Sequence, residues 1–140
     1  MFDDLLIWDL LMMNAPNAAI VDRFQSGMDG MVILAEDGMT KQMGLKSGQG
    51  PEFDYGQALK TVNIYRLCKE TLVETIVPKM EEFLDDDRSD VYYEAVFANL
   101  IDSGSMKMAV MDTGSRNWAE IDTLDDLRNA DSMFATATVG

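Results

Sequence analysis

Short apolar runs alternate along this chain with segments of helical period, and that alternation restricts the fold more than any other feature. Residues 18–21 and 31–35 are continuous apolar runs, the pattern of strands covered on both faces. Asp37-Gly38 follows the second run and tolerates two successive left-handed backbone positions, so residues 39–45 are expected to pair back as a hairpin. Residues 61–67 read as a strand with Val62 and Ile64 on one face and Thr61, Asn63 and Tyr65 on the other. Residues 107–111 and 118–121 complete the predicted strands. Helical spacing covers residues 3–14, capped by Asp3 or Asp4, apolar nearly all round and stopped by Pro16. It recurs over residues 69–84, where Pro78 is expected to kink or split the helix. A third helix, with Ser89 as N-cap, runs through residues 93–101 to Gly104. A fourth opens at the capping-box pattern Thr123-Leu124-Asp125-Asp126 and ends near residue 130. Interleaved strands and helices predict an α/β class with a mixed sheet.

The chain has 140 residues, the length of one domain or of part of a larger one. Its 25 Asp and Glu outweigh 11 Lys and Arg, for a net charge of −14. Such a surface repels phosphate backbones and anionic lipid, so neither a nucleic-acid partner nor a membrane partner is expected. There is no histidine, which removes Ser-His-Asp triads, Cys-His dyads and imidazole-ligated zinc. Cys68 is the one cysteine, so no intrachain disulfide forms and a reducing, cytoplasmic location is expected. Asp9 interrupts the longest apolar stretch, leaving no run fit to cross a bilayer. The remaining catalytic tools are carboxylates, lysines, hydroxyls and a bound metal.

Four groups of residues offer chemistry. Glu120 and Asp122 alternate at the carboxyl end of the predicted strand 118–121, the edge where open α/β sheets bind ligands. Two neighbouring carboxylates lower their repulsion by holding a divalent cation, and hard oxygen ligands suit magnesium. The commoner reading of the same pattern is a solvated Glu120 beside an Asp122 that faces a helix N-terminus. Asn63 and Tyr65 form a polar strand face that lines a pocket in one reading and a half-exposed edge in the other. In Tyr92-Tyr93-Glu94 an aromatic and a carboxylate are placed to hold a small cation, although a stripe aromatic is more often core. Lys41, Lys46 and Lys60 are expected to cluster near the hairpin, where they meet a phosphate or simply water.

Several stretches in order carry a family likeness: residues 24–32 with Met28-Asp29-Gly30, Lys60-Thr61-Val62-Asn63-Ile64-Tyr65, Tyr92-Tyr93-Glu94, and Trp118-Ala119-Glu120-Ile121-Asp122. Over residues 2–130 the chain resembles the later portion of small nucleotidyltransferases of the sugar-phosphate and choline-phosphate type. The nearest likeness is to the cytidylyltransferase-like domain found alone or fused to phosphoenolpyruvate mutase in phosphonate biosynthesis.

The resemblance implies a Rossmann-like mixed sheet of the nucleotide-diphospho-sugar transferase type. It implies transfer of a nucleotidyl group from a nucleoside triphosphate, often CTP, to a phosphate or phosphonate with release of pyrophosphate. It implies magnesium held by Asp122, with Glu120 beside it, and Lys46 on the acceptor phosphate. It also implies an acceptor pocket using Lys60, Asn63, Tyr65, Tyr93, Glu94 and Trp118, whose aromatics face an acceptor amine. The family opens with a glycine-rich triphosphate loop and a mid-chain aspartate ligand, and this sequence has no such loop before Ala15. The expectation is therefore an N-terminally truncated domain over residues 1–131, the acceptor-binding half, with a loose tail at 132–140. It would be inactive alone, and would pair with a second copy or a partner chain. The rival expectation is a non-catalytic acidic assembly module derived from the same fold.

Overall fold

The computed structural model describes residues 1–25, 27–85 and 93–137, with side chains to residue 135. Its elements are α1 (Leu5–Met12), β1 (Ala18–Arg23), β2 (Met31–Glu36), β3 (Met39–Leu45), β4 (Leu59–Arg66), α2 (Lys69–Thr71), α3 (Val77–Asp85), α4 (Tyr93–Asp102), β5 (Ala109–Asp112) and α5 (Leu124–Ala137). A π-helical turn, Leu72–Ile76, joins α2 to α3.

The five strands close into a barrel in the order β1-β4-β2-β3-β5, which corrects the expected open Rossmann-like sheet. β1 pairs antiparallel with β4 and parallel with β5. β2 pairs antiparallel with both β3 and β4. Closure rests on β5 reaching β3, with Met39 opposite Ala109. Two backbone bonds complete that seam, Thr40 N–H to Met108 O at 2.8 Å and Val110 N–H to Gly38 O at 2.9 Å. Bulges between Ala19 and Val21 and between Leu34 and Ala35 bend the strands that must curve. One parallel pair among antiparallel ones permits this compact closure, since only β1 to β5 needs a long crossover.

The hairpin forms as expected: Asp37 and Gly38 both adopt positive φ, 52° and 74°. β1 is buried on both faces because two helical layers sandwich it. Ala19 and Val21 join Ile33, Ile76, Phe97 and Leu100 in one core. Ala18 and Ile20 meet Leu6 and Leu10 of α1 in another. Each of the larger side chains, Val21, Ile20, Ile33, Ile76, Phe97, Leu100, Leu6 and Leu10, contributes about 1.5–3 kcal/mol through the water-exposed area it removes. Pro78 lacks the N–H for a regular bond and its ring crowds the carbonyl of Glu74. The π turn just before it absorbs both problems, so the predicted split appears as a widened turn. Gly104, at φ 75°, closes α4 as expected. The N-cap Ser89 and Tyr92 lie outside the described residues.

Three further expectations need correction. The N-cap position of α1 is Asp4, the preceding Asp3 accepts from Leu5 N through Oδ1 at 2.9 Å, and this nearly all-apolar helix, expected to be covered on more than one side, buries only Leu6 and Leu10. Its other face leaves Leu5, Trp8, Leu11 and Met12 exposed, Met12 at 82%. Residues 118–121 form no strand; a single bridge joins Phe2 to Trp118, because no ladder partner lies beyond it. α5 continues to Ala137 rather than ending near 130, so residues 132–137 are helix.

Candidate functional site

β4 carries the site. Lys60 lies between two strands, opposite Asp22 of β1 and Val32 of β2, and from Thr61 onward β4 pairs with β1. Lys60 points inward, its side chain 7% exposed, and donates to Asp29 O at 3.0 Å while its Nζ lies 3.3 Å from Glu120 Oε2. The neighbouring loop is shaped to this ammonium. Gly30 adopts φ 99°, and a Cβ there would lie 3.2 Å from Lys60 Nζ, so both backbone and space call for glycine.

Asn63 takes a left-handed φ of 60° within the stretch of β4 that bulges opposite Ile20. Its amide thereby reaches out of the strand and donates to Glu120 Oε1 at 3.2 Å. Thr61 Oγ1 lies 3.1 Å from both Asn63 Oδ1 and Glu94 Oε1, sharing one proton between them. Tyr65 donates to the same Glu94 oxygen at 3.1 Å. Burial first, and then the Glu94 charge, push the Tyr65 phenol well above its ordinary range; the same two causes raise Tyr93. A continuous polar chain therefore runs from Tyr65 through Glu94, Thr61, Asn63 and Glu120 to Lys60.

These groups surround an open cavity of about 530 Å³, lined by Gly27, Met28, Asp29, Gly30, Met31, Lys60, Thr61, Asn63, Glu94, Trp118, Glu120 and Asp122. A second groove of about 350 Å³ shares Asn63, Trp118 and Glu120 and continues over Phe2, Val62, Ile64 and Ile121. Trp118 forms part of both walls, its indole N–H held by Asp22 Oδ2 at 2.6 Å. Although residues 118–122 are not a strand, Glu120 and Asp122 reach the same cavity. The first anchors to Lys60 and Asn63, whereas the carboxylate of Asp122 has no partner among the described residues.

The sequence-predicted residues divide accordingly. Lys60, Asn63, Glu94, Trp118, Glu120 and Asp122 come together around the cavity. Tyr65 and Tyr93 stack edge-on with each other and with Phe97 behind Glu94. Lys46 lies outside the lining: it donates to Met28 O at 2.7 Å, lies over the Phe24 ring and braces the far side of the loop. Lys41 pairs with Glu36 across the hairpin, whereas Lys46 and Lys60 both contact the loop at Met28 and Asp29. The pattern-based reading missed the lining loop of residues 27–31, the buried Thr61 and the tether Asp22. Two glycines around Met28-Asp29, directly after a strand, are the one signal that marks the loop.

Magnesium fits this donor set at one residue rather than two. Among the described residues no three metal-binding side chains converge. Both Glu120 oxygens already face N–H donors, and Lys60 brings the positive charge a clamp would supply. Asp122 fits, because magnesium needs only one or two carboxylates when water and substrate phosphates complete its shell.

No family model matches the chain. It is similar to a phosphonate synthase. Over 124 residues it is 31% identical to the CMP-5'-(3-aminopropyl)phosphonate synthase of Streptomyces rubellomurinus (strain ATCC 31215), a match covering 86% of this chain and 20% of that protein. The chain thus spans about a fifth of the length of this curated relative. The likeness is to a protein named for a CMP-linked phosphonate, and so agrees in kind with the nucleotidyltransferase resemblance. Among the described residues no helix is long and apolar enough to cross a membrane.

Proposed function

We propose that the cavity around Lys60 receives the phosphate or phosphonate acceptor of a nucleotidyl transfer from CTP. In that reaction an acceptor oxygen forms a bond to the α-phosphorus, the bond to the bridging α–β oxygen breaks, and pyrophosphate leaves with the electron pair. The demand is for positioning and charge neutralisation rather than a proton shuttle, so a chain without histidine is suited to it.

The observation that carries the reading is a nearly buried ammonium at the base of a cavity otherwise rich in carboxylates. A lysine has three N–H donors, and two contacts engage Lys60 among the described residues. The third donor serves an anionic oxygen. Asp122 would hold magnesium, which when bound offsets phosphate charge in this acidic surround. The relative's product, a CMP-linked aminopropylphosphonate by name, supports a phosphonate as acceptor. The test is calorimetric titration with propylphosphonate, with and without magnesium. Binding that is lost roughly tenfold in Lys60→Met supports the reading, and equal affinity in the variant removes it.

A second reading, an assembly module, is favoured by one observation: the apolar face of α1 formed by Leu5, Trp8, Leu11 and Met12. Sedimentation at micromolar concentration tests it. Self-association abolished by Trp8→Glu supports it, and a monomer at every concentration opposes it.

A further inference from the structure

The helical segment that runs from α2 through the π turn into α3 is apolar on two sides. Ile76 and Phe83 are buried in the core with Val21 and Phe97. On the second side Val73, Val77, Met80 and Leu84 follow one another at spacings of four, three and four residues, the a/d rhythm of a helix seam. Leu72 joins them, because the π turn bonds Val77 N–H to Leu72 O and brings the two residues to one side. These five side chains are 38–60% exposed. The stripe runs about 18 Å along the helix. None of its residues lines the cavity around Lys60, and it belongs to the helical layer opposite α1 across β1.

The two edges of the stripe differ. Ile76 and Phe83 precede Val77 and Leu84 and turn into the core, whereas Glu74 and Glu81 follow Val73 and Met80 and are exposed. Glu70 and Asp85 add negative charge near its ends, and Lys79 is tied to Glu82. An apolar seam with an acidic rim is complemented by a helix that carries apolar side chains at heptad spacing and Lys or Arg beside them. Among the described residues no helix has a basic edge, so the helices of this chain do not supply that element. A second copy would bring the same acidic rim, on a chain of net charge −14, against this one. An anionic membrane surface meets the same repulsion.

We propose that Leu72, Val73, Val77, Met80 and Leu84 form a docking surface for a basic amphipathic helix of a separate protein partner. Glu74 and Glu81 pair with the partner's basic edge and set its register.

The experiment measures fluorescence anisotropy of labelled synthetic peptides of about four helical turns added to the full chain. One peptide has leucine at the a and d positions and lysine at e and g. The second has glutamate in place of lysine, and the third has the composition of the first in scrambled order. The first is expected to bind at least about tenfold more tightly than either of the others. Val77→Ser combined with Met80→Ser is expected to weaken it about tenfold. Glu81→Lys, an exposed change that leaves the core untouched, is expected to weaken it about threefold, while Glu52→Lys, the same change of charge in a loop, alters it by less than about twofold. Equal binding of the scrambled peptide, or equal losses in Glu81→Lys and Glu52→Lys, overturns the proposal, because general attraction to an acidic chain then accounts for the binding. So does failure of the first peptide to bind. A dimer in sedimentation that Val77→Ser with Met80→Ser dissociates also overturns it, in favour of a second copy as the occupant.

Discussion

Lys60 Nζ lies 3.3 Å from Glu120 Oε2, joining the most buried cation of the site to a side chain that is nearly half exposed. The pair is asymmetric: Glu120 regains water if the lysine is lost, whereas Asp29 O loses a buried donor. Lys60→Met is therefore expected to cost about 1–3 kcal/mol, and Glu120→Gln less than 1 kcal/mol. Thermal unfolding checks this, at roughly 2–4 °C per kcal/mol for a chain near this size. Equal shifts for the two variants would contradict the asymmetry.

Asn63 holds a left-handed backbone, φ 60°, in order to reach Glu120. That conformation costs most residues with a Cβ about 1–2 kcal/mol, asparagine less because its short amide bonds locally, and glycine nothing. Asn63→Ala should thus be destabilised by about 1–2 kcal/mol, and Asn63→Gly by less than about 0.5 kcal/mol despite the lost amide. Urea denaturation midpoints separate the two. Glycine as the worse substitution would show that the amide, and not the backbone, controls this position.

Tyr65 is neutral in the folded chain far above its ordinary range, because burial and Glu94 both oppose the phenolate. Its raised folded pKa contributes stability that is complete below about pH 10 and lost as pH rises beyond it. Stability should therefore fall between about pH 10 and 12, and Tyr65→Phe should flatten most of that fall, Tyr93 supplying the remainder. Chemical denaturation across alkaline pH measures it; an unchanged slope in Tyr65→Phe refutes the assignment.

α5 begins with a reciprocal cap. Asp126 N–H donates to Thr123 Oγ1 at 3.2 Å, and Thr123 N–H donates to Asp126 Oδ2 at 2.9 Å. The bonds from Thr123 lower the Asp126 pKa below the ordinary carboxylate value. The resulting stability is present above the unfolded pKa and is lost as pH falls through the lower folded one. In an NMR titration Asp126 should titrate below the ordinary aspartate value, and Thr123→Ala should raise it part of the way back, the backbone N–H bonds from residues 122 and 123 remaining. A midpoint unaffected by that substitution would rule out the cap as the cause.

Local signals were legible in the sequence and long-range pairing was not. Asp37-Gly38 sets its own turn, and Thr123 with Asp126 form their cap within one helical turn, so each follows from neighbouring residues. Barrel closure depends on Met39 meeting Ala109, a pairing between distant segments that no periodicity records. Residues 118–121 alternate like a strand, yet alternation does not provide a partner strand, and the chain makes a single bridge there. Strand alternation on β4 places Thr61, Asn63 and Tyr65 on one face and Lys60 on the other. The left-handed turn at Asn63 then aims its amide at Glu120, which strand alternation did not foretell. Met28-Asp29-Gly30 carries part of the family likeness, but composition alone reads residues 27–31 as a polar connection, and the buried Lys60 beneath them shows their part in the cavity.

The two tryptophans offer the most direct test of the acceptor site. Trp118 borders the cavity with its indole N–H bound to Asp22, while Trp8 lies on the exposed face of α1, 64% accessible. In a nitrogen–proton NMR spectrum, titration with 3-aminopropylphosphonate is predicted to shift the Trp118 indole and the amides of Gly27, Gly30 and Thr61 together, leaving the Trp8 indole in place. Saturable shifts confined to α1, or no shift of Trp118 at millimolar ligand, would contradict the account.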